Sequence, residues 1–160
     1  MTASSQQQGS IALMPVALGA HHVAVEALAV LEILGPREWV RIPNTRPLLP
    51  GALAWRGRAI GVLDLAPALR LPALEAPNTR GRNAVLRVDD DVVVITIDRV
   101  LEVRRASVDA IKPVHATRWL VERGVPCRGE LELELERDLD TDVIPVLDLE
   151  AWASMHRSVR

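Results

Sequence analysis

Few residues of this chain combine a type and a spacing that could do chemistry. His21 and His22 are adjacent, and neighbouring side chains on a strand point to opposite faces, so the two cannot chelate one ion together. Asp138, Asp140 and Asp142 imitate the opening of a calcium loop. Such a loop needs Gly at its sixth position and Glu at its twelfth, where this chain has Val143 and Leu149, so the segment reads as a hydrated hairpin turn. Glu130, Glu132, Glu134 and Glu136 alternate with Leu131, Leu133 and Leu135, which predicts one wet and one core face, the carboxylates solvated and of ordinary acidity. Cys127, the single cysteine, can form neither an intramolecular disulfide nor a thiolate metal site, and fits a reducing compartment. Lys112 is the only lysine beside 18 arginines and directly precedes Pro113, and no Gly-x-Ser-x-Gly elbow or Gly-x-Gly-x-x-Gly phosphate turn occurs. These absences argue against an enzyme and call for no catalytic residue, metal or cofactor.

Any side chains that act must therefore act by contact, and the composition bounds what they stand on. The 160 residues are 49% hydrophobic and 25% charged with a formal charge of −2, which suits one domain and excludes a disordered chain. There is no basic excess of the kind that nucleic-acid binding requires. Phe and Tyr are absent, so the core must be aliphatic, with Trp39, Trp55, Trp119 and Trp152 for bulk. Residues 1–10 read as a loose polar tail. The apolar run Ile11–Ala20 lacks the preceding positive charges of a signal peptide, and Pro15, Gly19, His21–His22 and Glu26 break it before it could span a membrane. The expectation is a cytoplasmic protein without direct membrane insertion.

Most apolar runs are short, β-branched and bounded by turn residues, which predicts a mainly β fold. Ala84–Val88 and Val92–Ile97 read as strands joined at an Asp89–Asp91 turn, and Val143–Leu149 as a final strand. Helices are expected to be short: a turn capped by Ser107, a piece over Arg118–Arg123 stopped by Gly124, and a closing helix over 150–157. Val30-Leu31-Glu32 recurs as Val100-Leu101-Glu102, and Val62–Leu65 recurs as Val146–Leu149, in the same order. This faint repeat suggests two β units, each too small to bury a core alone, packed together.

The segment Leu49-Pro50-Gly51-Ala52-Leu53-Ala54-Trp55-Arg56-Gly57, continuing through Arg58 to Asp64-Leu65, resembles the signature of the CheW-like family. Val30-Leu31-Glu32-Ile33 upstream, and Ile97–Val100, Ser107–Pro113 and Val146–Leu149 downstream, resemble further family elements in the right order. Ala54-Trp55 replaces the usual Asn-Leu before Arg-Gly. The resemblance implies two SH3-like five-stranded barrels packed face to face in one domain over 11–158, the first over about 11–80 and the second over about 81–150. It also implies a non-enzymatic adaptor linking the cytoplasmic tip of a chemoreceptor to the regulatory domain of a CheA-type histidine kinase, clustered with receptor arrays through its partners. The alternative on the same scaffold is an adaptor that has lost kinase contact and docks another regulatory protein in a motility pathway. A small β-barrel enzyme or ligand-binding protein would instead need a concave polar pocket. For the adaptor, Val30 is expected to line an apolar groove and Glu32 and Arg56 to stand at its rim. Gly57 is expected to permit close approach of the chain, and Gly51 to serve a turn.

Overall fold

The computed structural model describes residues 9–43, 48–71, 81–135 and 141–157. The strands are β1 (Ser10–Leu18), β2 (His21–Glu26), β3 (Val30–Leu34), β4 (Val40–Arg41), β5 (Gly51–Trp55), β6 (Arg58–Leu63), β7 (Arg82–Val88), β8 (Asp91–Ile97), β9 (Arg99–Val100), β10 (Arg104–Ser107), β11 (Cys127–Glu134) and β12 (Thr141–Leu147). Two helices follow β10 and β12, α1 (Arg118–Glu122) and α2 (Leu149–Arg157), and 3-10 turns occupy Ala27–Ala29 and Val108–Ala110. Ser107 caps the second of these turns, its hydroxyl accepting from the Asp109 amide. Gly124 ends the α1 region at φ +92°. Ser10 already pairs with Ser107, so the ordered fold begins inside the segment read as a tail, of which residues 1–8 lie outside the described residues.

The strands form two sheets, β10-β1-β2-β12-β11 with β9 also on β1, and β3-β7-β8-β6-β5-β4. Each holds five longer strands plus one of two residues, in line with the expected five. The chain does not divide into consecutive halves at residue 80, however. β1 and β2 pair with strands from the second half, while β7 and β8 pair with strands from the first. Two of these contacts are parallel, β2 beside β12 and β6 beside β8, while β1 with β9 and β3 with β7 run antiparallel. Among the described residues neither ladder is closed by a full strand. In the first sheet a single bridge, Lys112 to Glu130, joins its two sides; in the second, side chains of β3 and β5 meet, as described below.

Burial on both strand faces explains the near-continuous apolar runs. Alternate residues serve different cores. Met14, Val16, Val23 and Val25 from one sheet meet Leu63, Leu86, Ile95 and Ile97 from the other in a central seam, which Leu120 of α1 and Trp152 of α2 also fill. Leu13, Ala24, Leu131, Ile144 and Val146 pack inside the first sheet, and Leu34, Trp39, Leu53, Val62, Val85 and Val94 inside the second. Two aliphatic units thus share one seam.

Candidate functional site

Arg56 and Gly57 form the two-residue turn between β5 and β6, with Trp55 opposite Arg58 as the last pair of the ladder. Both turn residues have positive φ, +47° and +73°, as the tight turn matching the strand twist requires. A Cβ placed on Gly57 would meet nothing within 4 Å. Among the described residues no part of this chain packs closely on it, and within the fold glycine is needed here for its backbone conformation. Gly57→Ala is expected to cost about 1 kcal/mol, read as a melting temperature lower by about 2–4 °C, with no change in the packing of the core.

The turn projects a charged tip. The Arg56 guanidinium lies 4.6 Å from the centre of the Trp55 ring, and its Nη2 is 3.4 Å from Glu32 Oε2 on β3. Trp55 Nε1 donates to the same carboxylate oxygen at 2.9 Å. β3 and β5 lie far apart in the order of the sheet, so this cluster draws the two sides of the second unit together by side chains. The Arg56 side chain remains 69% exposed, so the ion pair is worth only a few tenths of a kcal/mol. Most of the donor fork faces solvent.

Val30 sits elsewhere. It pairs with Leu86 on β7 and is half-buried against the central seam, which makes it part of the packing rather than the lining of an open groove. A bulge between Val30 and Glu32 interrupts the alternation at Leu31. The residues left exposed around it are Leu28, at 93%, with Leu31 and Ile33. Sequence reasoning missed these three because a run of aliphatic residues carries no sign of where a bulge falls. It missed Trp55 as the partner of Glu32 for another reason: their contact spans the barrel gap and leaves no local pattern.

The remaining candidates fall apart as reactive groups. His21 stacks near Trp119, with ring centres 5.7 Å apart, while His22 Nδ1 lies 3.6 Å from Asp142 Oδ2. Among the described residues no group of three or more His, Cys, Asp or Glu is placed to hold a metal. Asp138 and Asp140 lie outside the described residues. Burial, reinforced by Asp148 and Glu130, pushes the Cys127 thiol up to about 12, so it stays protonated and unreactive at neutral pH. Glu130 corrects the reading of a uniformly wet acidic face. It is buried, and its two oxygens accept from the amides of Ala116 and Thr117 and from the Thr117 hydroxyl.

Residues 12–154 match the family model of the CheW-like domain. The chain belongs to the CheW-like domain family. Over 100 residues it is 31% identical to the chemotaxis protein CheW of Helicobacter pylori, a match covering 62% of this chain and 60% of that protein. The chain thus spans about three-fifths of the length of this curated relative. The crystal structure of the scaffolding protein TtCheW from Thermoanaerobacter tengcongensis has the same fold, with a TM-score of 0.66 at 16% identity over 88% of this chain and 90% of that one. The two-sheet architecture of this CheW-like chain is therefore that of a solved CheW. No described helix is long and apolar enough to cross a membrane.

Proposed function

We propose that this CheW-like chain is a non-catalytic coupling protein that joins the cytoplasmic tip of a chemoreceptor to the regulatory domain of a CheA-type histidine kinase, inside the cytoplasm at receptor arrays. The observation that carries the reading is the tip of the β5–β6 turn, where an exposed guanidinium is held over an indole and paired with Glu32 of β3, a strand whose Leu31 and Ile33 are also exposed. A receptor tip is a helical hairpin, and a helix docks through an apolar stripe fixed by polar contacts at its edge. In this reading the two aliphatic side chains meet the stripe and Arg56 pairs with a carboxylate or with helix-end carbonyls. Glu32 and Trp55 hold the guanidinium in place, and the Gly57 turn aims it. Val30 supports β3 from behind.

Arg56→Glu tests this. The side chain is exposed and its ion pair weak, so the melting temperature is expected to stay within a few degrees of the parent. Capture by a receptor-tip fragment is expected to fall at least ~10-fold, since a like charge then faces the partner's carboxylate. Unchanged capture with an intact fold overturns the assignment. A parallel pull-down with the kinase regulatory domain separates the readings: receptor binding without kinase binding would favour the adaptor that has lost its kinase.

A further inference from the structure

We propose that the outer edge of β11 receives a basic, extended peptide segment of another protein as an added strand. The Lys112 amide donates to the Glu130 carbonyl at 2.9 Å and the Glu130 amide returns a bond to the Lys112 carbonyl at 2.8 Å. Alternate residues of a strand turn their backbone groups to the same side, so Glu132 and Glu134 present theirs to the edge that Glu130 uses. Among the described residues nothing continues the ladder there, because residues 108–110 wind into a 3-10 turn and leave Lys112–Glu130 an isolated bridge. In place of a partner strand there is a cleft of about 410 Å³ lined by Ala110, Lys112, Glu130, Leu131, Glu132 and Val143. Glu130 is covered by the 115–117 loop, whereas Glu132 and Glu134 are exposed on the same face, and Val143, paired with Glu132, is 38% exposed.

Charge decides the occupant. An open strand edge pairs with whatever extended segment matches it, through main-chain bonds for affinity and facing side chains for specificity. A second copy of β11 laid antiparallel would set glutamate against glutamate, which is unfavourable. A segment with Lys or Arg at every second position would set a cation opposite each of Glu132 and Glu134, with its intervening residues free to be apolar. Lys112, whose ammonium donates to the Asp109 carbonyl at 2.9 Å, brings one positive charge to the cleft against the two negative charges of Glu132 and Glu134, so the edge stays net acidic. This inference is independent of the coupling role of Arg56, which lies on the other sheet.

The test uses the full chain and a synthetic peptide, acetyl-Thr-Lys-Val-Lys-Val-Lys-Thr-amide. Binding is expected to slow hydrogen exchange at the Glu132 and Glu134 amides. It should weaken about tenfold when alternate peptide nitrogens are methylated, and about tenfold again for the E132K/E134K double variant. Glu132→Gln, which keeps the side-chain size, is expected to give an intermediate loss and guards against misfolding of the reversed variant. Absence of binding overturns the proposal. So does undiminished binding of the methylated peptide, which would mean that charge alone attracts it, or undiminished binding to the variants, which would mean that the site lies elsewhere.

Discussion

Glu130→Ala is expected to lower the free energy of unfolding by on the order of 3 kcal/mol, because it leaves the Ala116 and Thr117 amides and the Thr117 hydroxyl without their acceptor in a buried place. Burial alone would raise the pKa of this carboxyl. The amides of Ala116, Thr117 and His115 and the Thr117 hydroxyl outweigh it and hold the pKa at about 2, below an ordinary 4.5. A group whose folded-state pKa is depressed stabilises the fold above its unfolded pKa and loses that contribution as the pH falls through the folded value. The parent chain should therefore lose stability as the pH falls from about 4.5 to about 2 and this group takes up its proton. Glu130→Gln should flatten that part of the profile while already being less stable at neutral pH, since its NH2 would face donors that the carboxylate accepts. Chemical denaturation across pH 2–7 reads both effects, and a profile for Glu130→Gln as steep as the parent's would refute the account.

Gly51→Ala is expected to be nearly as damaging although glycine here makes no turn. Gly51 opens β5 opposite Arg41, and a Cβ at this position would lie 2.1 Å from the Val40 carbonyl oxygen and 2.5 Å from a ring carbon of Trp39. The oxygen is backbone and the indole is buried, so neither can yield cheaply. Overpacking of this kind costs about 2–3 kcal/mol, a melting temperature lower by roughly 5–10 °C. Near-ultraviolet circular dichroism should report the displaced Trp39. The contrast with Gly57→Ala is the stringent measurement, because an equal loss at both positions would contradict the packing described for each.

These two glycines also show where reading the sequence succeeded and where it could not. The roles expected of them are exchanged in the structure: Gly57 makes the turn and Gly51 the close approach. Both requirements are met by glycine, and which one operates depends on a neighbour, Trp39, brought in by folding. Alternation placed the β7–β8 pair and the core-facing leucines of β11 correctly, because the period of a strand is a local property. It could not foresee that Glu130 is covered, since the loop over it comes from residues 115–117 and arrives by chain path rather than by pattern. The faint repeat correctly suggested two units, but strand exchange between them follows from long-range pairings, parallel and antiparallel, that leave no trace in short apolar words. Arg56 and Glu32, which the structure brings together, could be singled out as candidates through their resemblance to a family signature, whereas the indole beside them was visible only as a departure from it.

The interleaving of β1 and β2 with β11 and β12 bears on how the molecule is made. On the ribosome, the whole second sheet, from β3 through β8, is available to assemble while the first two strands wait for partners not yet translated. Met14, Val16, Val23 and Val25 meanwhile have only the half-built seam to shelter them. A nascent chain of this design can therefore complete its second sheet before its first, whose amino-terminal hairpin keeps an open edge until β12 has been translated.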